Sequence, residues 1–183
     1  FSIPGMPLVM HFMHNEQVAW GMTHGVVDTQ DLYVEQLRRD AHGQVQYLFE
    51  DVWRDATARR ETLAVRGGSD EHVEVVETPH GTVIAGSVES GYGISLADPG
   101  ATPTAWVDAT YAAMKATNAQ DFQSAMAGWT DRVNNYPYAD VDGNFGYTLR
   151  GRIAVRGEEN GWGPVAGWTG QHEWQGVIPP DEM

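Results

Sequence analysis

The sequence predicts an α+β protein of mostly antiparallel strands, with a pair of helices in its second half. Three observations indicate this class. Short β-branched runs separated by Gly, Asp and Pro fill residues 40–100, as in a meander of strands. Two stretches after residue 103 are rich in Ala and Met at helical spacing. Asp142 and Gly143 then stand between two strand-like runs, where a hairpin turn is expected.

The first segment, residues 1–39, predicts core strands. The runs PLVMHFM and VAWGM are apolar, and the polar HNEQ between them predicts a turn. The stretch DTQDLYVEQLRRD then alternates between two faces, one of which carries Tyr33, Glu35 and Leu37. Such alternation is typical of a half-buried strand, entered here through an Asp-rich turn.

Residues 101–132 predict the helix pair. The first helix is expected over 104–115, with Thr104 at its N-cap position. The second helix is expected to begin after Asn118, whose side chain can cap it, with Asp121 three residues on.

Strands are expected to return over 133–156. They form a hairpin in which Asp142 and Gly143 predict a type I′ turn, since both residues tolerate positive φ. Residues 157–183 are rich in Gly and Trp and predict a loop. The whole chain, 1–183, is interpreted as a single piece of a larger domain.

The composition excludes several classes of function. The 183 residues contain 25 Asp and Glu against 11 Lys and Arg, a formal net charge of −14. Binding to nucleic acid or to an anionic membrane surface needs a basic face, so neither partner is expected. The chain has no cysteine, which excludes thiol catalysis and disulfides within it. No run approaches the roughly 18 apolar residues of a membrane span.

The residues alone leave two candidate metal sites. His11 and His14 are three apart, and on a strand they point to opposite faces, which disfavours a shared zinc ion. The carboxylates of Asp28 and Asp31 and the carbonyl of Gln30 could converge on a hard cation such as Ca²⁺. Three ligands are fewer than the six to eight that Ca²⁺ takes. A solvated turn is therefore the first interpretation of this stretch, and a calcium site is the alternative.

Four segments in order resemble the penicillin acylase (penicillin amidase) family. They are IPGMP followed by HNEQVAWGMTHGVVDTQDLYVEQL, then TPHGTVI, NNYPYADVDGNFGYTLRGRIAVR and GWTGQHEWQGVIPPDEM, which together span essentially the whole chain. The resemblance implies an N-terminal nucleophile hydrolase with an αββα core. In this family a precursor cuts itself and exposes an N-terminal serine, which attacks an amide with its own α-amine as base.

The resemblance also implies roles for particular residues. His24 matches the position whose backbone N–H serves the oxyanion hole, and a backbone donor tolerates any side chain there. Phe12, Met22 and Tyr111 match positions that line the acyl pocket, with a one-residue ambiguity in the alignment of Tyr111.

The same resemblance supports the calcium interpretation of the acidic turn. Asp28, Gln30 and Asp31 match part of the family's structural calcium site, whose other ligands come from elsewhere in the parent protein. Alone, this chain is expected to bind Ca²⁺ weakly or not at all, because too few ligands are present.

The family's nucleophilic serine belongs before Phe1 and its side-chain oxyanion donor, an Asn, belongs beyond Met183. The chain is therefore expected to be an internal segment of the large (β) chain and to be inactive alone. The expected partners are the small chain, the rest of the large chain and a small N-acyl amide, such as a β-lactam side-chain amide or an acyl-homoserine lactone. A homodimer is a further expectation, and the family resemblance implies a periplasmic or extracellular location.

Two other classes stay open at this point. The chain could be a non-catalytic β-rich module that binds Ca²⁺ or another ligand. It could also be a metalloenzyme based on histidine, which would contain stoichiometric zinc.

Overall fold

The elements follow the predicted order of strands, two helices and further strands. The structure, a computed structural model, describes Pro4, Leu8, residues 11–101 and residues 105–183. The first ten strands are β1 (Phe12–His14), β2 (Val18–Gly21), β3 (Thr23–His24), β4 (Asp31–Arg39), β5 (Val45–Phe49), β6 (Val52–Asp55), β7 (Thr57–Leu63), β8 (Glu71–Thr78), β9 (Gly81–Ser87) and β10 (Tyr92–Ala97). The later elements are α1 (Trp106–Met114), α2 (Ala119–Met126), β11 (Asn134–Asp140), β12 (Phe145–Arg150), β13 (Ala154–Val155), β14 (Val165–Ala166) and β15 (Gly176–Val177).

The chain divides into two compact units, and each unit is built from separate stretches of sequence. The first unit comprises Phe1–Thr29, Thr102–Val155 and Gly176–Met183, and the second comprises Gln30–Ala101 and Arg156–Gln175. The five predicted segments do not coincide with these units, because the boundary between Thr29 and Gln30 falls inside the first segment. The interpretation of the chain as one piece of a larger domain stays a prediction.

The first unit is a sheet with a helix pair on one face. Its strands lie in the order β1-β2-β11-β12, and β3 also pairs with β11. Trp20 pairs with Tyr138 and Thr23 with Asn135, so β2 and β3 share one register and are interrupted only at Met22. A single apolar cluster joins the helices to the sheet; it consists of Val18, Trp20, Ala109, Ala113, Ala116, Phe122, Met126, Trp129 and Tyr136.

The predicted start of α2 is confirmed. Asn118 has extended backbone geometry, and its side-chain oxygen accepts a hydrogen bond from the Asp121 N–H at 2.8 Å. This bond satisfies one of the N–H groups that a helix start leaves unpaired. The predicted cap of α1, Thr104, lies outside the described residues.

The hairpin of β11 and β12 is confirmed, but its predicted type I′ turn is wrong. Gly143 has φ of 89°, whereas Asp142 has no positive φ, and a type I′ turn requires it at both positions. The cause is the Asp140 carboxylate, which accepts hydrogen bonds from the N–H groups of Asp142 and Asn144. These bonds stabilise a longer loop in which only the glycine enters the left-handed region.

The second unit contains the antiparallel strands predicted over 40–100, but they do not form one continuous meander. The order is β6-β5-β4-β10-β9-β8-β7, so β4 lies between β5 and β10, and β6 and β7 lie at opposite edges. Strand β14 adds to β4 as a parallel neighbour. The Gly/Trp-rich C-terminal stretch is largely irregular, as predicted, although β14 and β15 lie within it. No helix in the part of the chain that the structure describes is long and apolar enough to cross a bilayer.

Candidate functional site

His24 lies at the end of β3, and its backbone N–H is directed away from β11. The N–H of Gly25 donates to the Val133 carbonyl at 2.9 Å. Hydrogen-bonded pairs alternate along an antiparallel ladder, so Thr23 and Gly25 bond to β11 and His24 between them does not. The geometry supports the predicted oxyanion donor at His24, which stays a prediction.

The imidazole of His24 belongs to the turn that follows. Its Nδ1 accepts a hydrogen bond from the Val26 N–H at 3.0 Å. Val26 has φ of 52°, which is rare for a β-branched residue, and its side chain is exposed. The side chain of His24 therefore stabilises a strained turn, while its N–H stays available for another role.

Phe12 and Met22, two of the predicted pocket residues, lie on opposite faces of the first sheet. Phe12 is paired with Gly21, and its ring packs against the backbone of that glycine. A Cβ added to Gly21 would lie 3.3 Å from the ring. Met22 packs on the helix-covered face, where its sulfur accepts a hydrogen bond from the buried Tyr136 hydroxyl at 3.2 Å.

Tyr111, the third predicted pocket residue, is 52% exposed on α1. The Lys115 ammonium lies 4.1 Å from the centroid of the Tyr111 ring, which is a cation–π contact. Among the described residues, Phe12, Met22 and Tyr111 are not gathered round one cavity. The acyl-pocket assignment stays a prediction.

Asp31, the first residue of β4, is almost fully buried and is surrounded by hydrogen-bond donors. Its Oδ1 accepts a hydrogen bond from Arg156, and its Oδ2 accepts from the Trp174 indole at 2.5 Å and from the Asn160 amide at 3.3 Å. A buried carboxylate needs such partners because it is removed from water. The predicted solvated turn is therefore wrong for Asp31, whose carboxylate is an internal group of the second unit.

Arg156 bears on the predicted cation site. Its Nη1 contacts the Asp31 carboxylate and lies 3.4 Å from the Gln30 carbonyl. The guanidinium therefore takes the place that a cation shared by these two oxygens would occupy. The oxygens are of the type that Ca²⁺ prefers, but in this arrangement they do not fit an added ion unless Arg156 moves. Asp28, the remaining predicted ligand, lies in a stretch assigned to the first unit.

A second buried network lies on the same face of β4, at Glu35, four residues after Asp31. The carboxylate is fully buried, and its Oε1 accepts hydrogen bonds from Thr78 and Ser95, each at 2.7 Å. The same oxygen lies 2.8 Å from Nδ1 of His80, and Nε2 of His80 lies 2.8 Å from Glu173. His80 is thus held between two carboxylates.

The charges of this network are set by its partners. Burial opposes ionisation of His80, but the hydrogen bond and charge of Glu35, followed by those of Glu173, outweigh it and raise the pKa of His80. Burial likewise opposes the charge of Glu35, but the bonds from His80, Ser95 and Thr78 lower the pKa of that carboxyl. Both shifts favour the charged forms, a carboxylate at Glu35 and an imidazolium at His80.

Tyr33 connects this network to the Asp31 cluster. Its ring stacks on His80 with centroids 4.1 Å apart, and its hydroxyl donates to the His172 carbonyl at 2.7 Å. Burial, followed by the charge of Glu173, raises the pKa of Tyr33 to about 12, so the phenol keeps its proton as a donor. Three inward residues of β4, namely Asp31, Tyr33 and Glu35, thus anchor the C-terminal stretch of the second unit.

Sequence patterns did not indicate this network, because His80 lies 45 residues from Glu35 and Glu173 lies a further 93 residues on. The one available signal was the Glu on the Tyr33 face of a strand predicted to be half-buried. Among the described residues, no group of three or more His, Asp or Glu side chains is placed to hold a metal ion.

Comparison with known proteins agrees with the fold. The model of the penicillin amidase family matches residues 1–183. The chain is 37% identical to the penicillin acylase 2 proenzyme of Pseudomonas sp. (strain SE83), covering 100% of this chain and 23% of that protein. It is 32% identical to the acyl-homoserine lactone acylase QuiP of Pseudomonas putida (strain KT2440), with coverages of 98% and 22%.

A solved structure shows the same likeness. The thermostable penicillin G acylase of Alcaligenes faecalis superposes with a TM-score of 0.77 at 28% identity, over 97% of this chain and 32% of that one. The mostly antiparallel fold with two helices is therefore the fold of part of a penicillin acylase. The chain spans about a fifth of the length of the curated relatives that it matches. A family match along every residue, supported by these relatives, shows that the chain belongs to the penicillin amidase family.

Proposed function

We propose that this chain is the part of an N-acyl amide hydrolase that supplies one oxyanion donor, the backbone N–H of His24. The observation that carries the proposal is the direction of that N–H, which points away from β11 in a member of an amide hydrolase family. A backbone donor that is free of its sheet ladder can bind the charge that develops on an attacked carbonyl oxygen.

The chemistry follows from the family resemblance. A serine at the N-terminus of the large chain, outside the segment matched here, attacks the amide carbonyl while its α-amine accepts the hydroxyl proton. The tetrahedral intermediate places its negative oxygen at the His24 N–H and at an Asn donor from another part of the protein. The α-ammonium group gives that proton to the nitrogen of the leaving amine as the C–N bond breaks, and water then hydrolyses the acyl-enzyme. On this proposal the 183 residues alone are inactive.

The relatives suggest two substrate classes. Their names describe penicillin acylases and acyl-homoserine lactone acylases. Both kinds of substrate present a linear amide that joins an acyl chain to an amine. We infer the same linkage for this protein. The remaining chains of the same precursor complete the site.

Calcium enters the proposal as a structural ion of the assembled protein. Asp28, Gln30 and Asp31 would supply part of its ligands. The contact of Arg156 with Asp31 supports the expectation that the segment alone binds the ion weakly.

A comparison of two substitutions at one position tests the function. In the full-length gene product, His24→Ala keeps the backbone N–H and should retain most of the activity. His24→Pro removes that N–H without removing a bond to β11, and should lower kcat by about 100-fold or more. The readout is hydrolysis of a chromogenic phenylacetyl amide and of acyl-homoserine lactones of graded chain length, in protein shown to be folded by circular dichroism.

Three outcomes contradict the proposal. One is equal activity of His24→Pro and wild type. Another is turnover by the 183-residue protein that persists through stringent purification. The last is a full-length protein that hydrolyses neither class, which would favour the non-catalytic binding module. The gene is informative too: a serine preceded by a cleavable spacer supports the hydrolase.

A further inference from the structure

One residue, Asn135, holds both peptide groups that flank the α-carbon of His24. Thr23 and Asn135 form a hydrogen-bonded pair of the β3–β11 ladder, so the N–H of Asn135 donates to the Thr23 carbonyl. The Thr23 carbonyl and the His24 N–H belong to one planar trans peptide and point in opposite directions. The backbone of Asn135 therefore sets the direction of the His24 N–H.

The side chain of Asn135 holds the next peptide. Its Nδ2 donates to the His24 carbonyl at 3.0 Å and lies 3.1 Å from the Thr23 hydroxyl oxygen. With one peptide bonded to the Asn135 backbone and the next to its carboxamide, neither dihedral of His24 can change without breaking a bond.

Tyr147 orients that carboxamide. The Tyr147 hydroxyl donates to Oδ1 of Asn135 at 2.5 Å, across the ladder between β11 and β12. Because Oδ1 accepts this bond, Nδ2 is turned toward the His24 carbonyl rather than away from it.

The turn after His24 shows that this backbone is held under strain. Val26 adopts positive φ, and a Cβ added to Gly25 would meet the Val133 side chain at 2.8 Å. A β-branched residue rarely adopts this region and persists there only where the surroundings enforce it. The contacts of Asn135 lie immediately before this turn.

We propose that Asn135 is a positioning residue for oxyanion binding and that Tyr147 fixes its amide. The inference rests on the proposed function, because it gives the His24 N–H a catalytic partner. Asn135 touches neither substrate nor nucleophile. It holds a donor in place before the negative oxygen forms, so that no reorganisation is needed during the reaction.

The test uses Asn135→Ala, Asn135→Asp and Tyr147→Phe in the full-length protein. An aspartate has the same shape but cannot donate while it is ionised. We expect kcat to fall about tenfold in both Asn135 variants, less than the 100-fold or more that follows loss of a direct donor, with KM within about twofold. Tyr147→Phe should lower kcat severalfold. Matched controls are Gln120→Glu on α2 and Tyr92→Phe on β10, which make the same chemical changes at exposed positions.

A pH profile separates positioning from a general loss of structure. Protonated aspartate can donate to the His24 carbonyl, so the activity of Asn135→Asp relative to wild type should recover as the pH falls below about 5. Folded variants with unchanged kcat would overturn the inference. A rise in KM at constant kcat would also overturn it, because it would make Asn135 a substrate contact.

A second measurement keeps this result distinct from failure of the proposed function. If the wild-type full-length protein hydrolyses none of the substrates, the proposed function falls. Amide hydrogen exchange over residues 20–26 of the full-length protein then decides the inference. Faster exchange in Asn135→Ala than in Gln120→Glu supports a backbone held by Asn135, and equal exchange overturns it.

Discussion

His80 and Glu35 form a buried pair in the second unit, with Nδ1 of the imidazole 2.8 Å from the carboxylate. His80 is 5% exposed and Glu35 is fully buried, and Glu173 contacts the other imidazole nitrogen. Both ring nitrogens can donate only when the imidazole is charged, so the arrangement favours the imidazolium.

The stability of the protein should therefore fall on both sides of a pH optimum. The raised pKa of His80 gives a contribution that is complete below about 6.5 and is lost as the pH rises through the raised value. The lowered pKa of Glu35 gives one that is present above about 4.5 and is lost as the pH falls through the lowered value. Thermal unfolding from pH 2 to 9 measures both. His80→Gln should flatten the alkaline side, and a variant as pH-dependent as wild type there would contradict this assignment.

Glu35→Gln should destabilise the protein by about 3 kcal/mol, because it leaves the buried imidazolium without its main partner. Urea unfolding measures the change. Glu89→Gln is the control, since it removes a carboxylate that pairs with Arg39 at 70% side-chain exposure. Solvent screens an exposed pair, which contributes little to stability, so the control should unfold close to wild type. Equal effects of the two substitutions would rule out a buried ion pair at Glu35.

Gly81→Ala should be far more costly than Gly43→Ala. Both glycines have positive φ, at 114° and 85°. A Cβ on Gly81 would lie 2.0 Å from the Leu96 carbonyl oxygen, whereas nothing lies within 4 Å of one on Gly43. We expect about 1–2 kcal/mol for Gly43→Ala from backbone strain alone, and more than about 3 kcal/mol for Gly81→Ala from strain plus the clash. Similar melting temperatures for the two variants would disagree with the packing of β9 on β10.

Arg156→Gln should make the protein respond to calcium. Removing the guanidinium leaves the buried Asp31 carboxylate without its cation, which destabilises the protein by about 3 kcal/mol and opens the place of a divalent ion. Calcium should then raise the melting temperature of Arg156→Gln more than that of wild type. Arg60→Gln on the exposed strand β7 is the matched control. Calorimetry that gives wild type micromolar affinity for calcium would contradict the blocking role of Arg156.

The sequence predicted the elements better than it predicted the site. The cap at Asn118, the strand at β4 and the hairpin of β11 and β12 follow from local chemistry, which acts over a few residues. The type of the hairpin turn was wrong because the Asp140 carboxylate competes for the backbone N–H groups. Such competition depends on a side-chain rotamer that no residue pattern specifies.

The polar core of the second unit could not be predicted from the sequence, for a different reason. The alternation in β4 indicated two faces but not that Asp31 and Glu35 lie on the buried one. A buried carboxylate is tolerated only where donors converge on it, and those of Asp31 come from Arg156, Asn160 and Trp174, more than a hundred residues away. The orientation of the His24 N–H also depends on its register with β11, which only the paired strands define.

The interleaving of the two units has a consequence for synthesis. The polypeptide enters the second unit at Gln30, leaves it after Ala101, returns at Arg156 and leaves again after Gln175. When strands β4 to β10 emerge from the ribosome, Glu173 and Arg156 have not yet been made. His80 and Asp31 therefore lack these two partners until the C-terminal stretch has been synthesised. Contacts between residues so far apart in sequence also form slowly. A nascent chain stalled after residue 101 should therefore be open to proteases, and one extended past Trp174 should resist them.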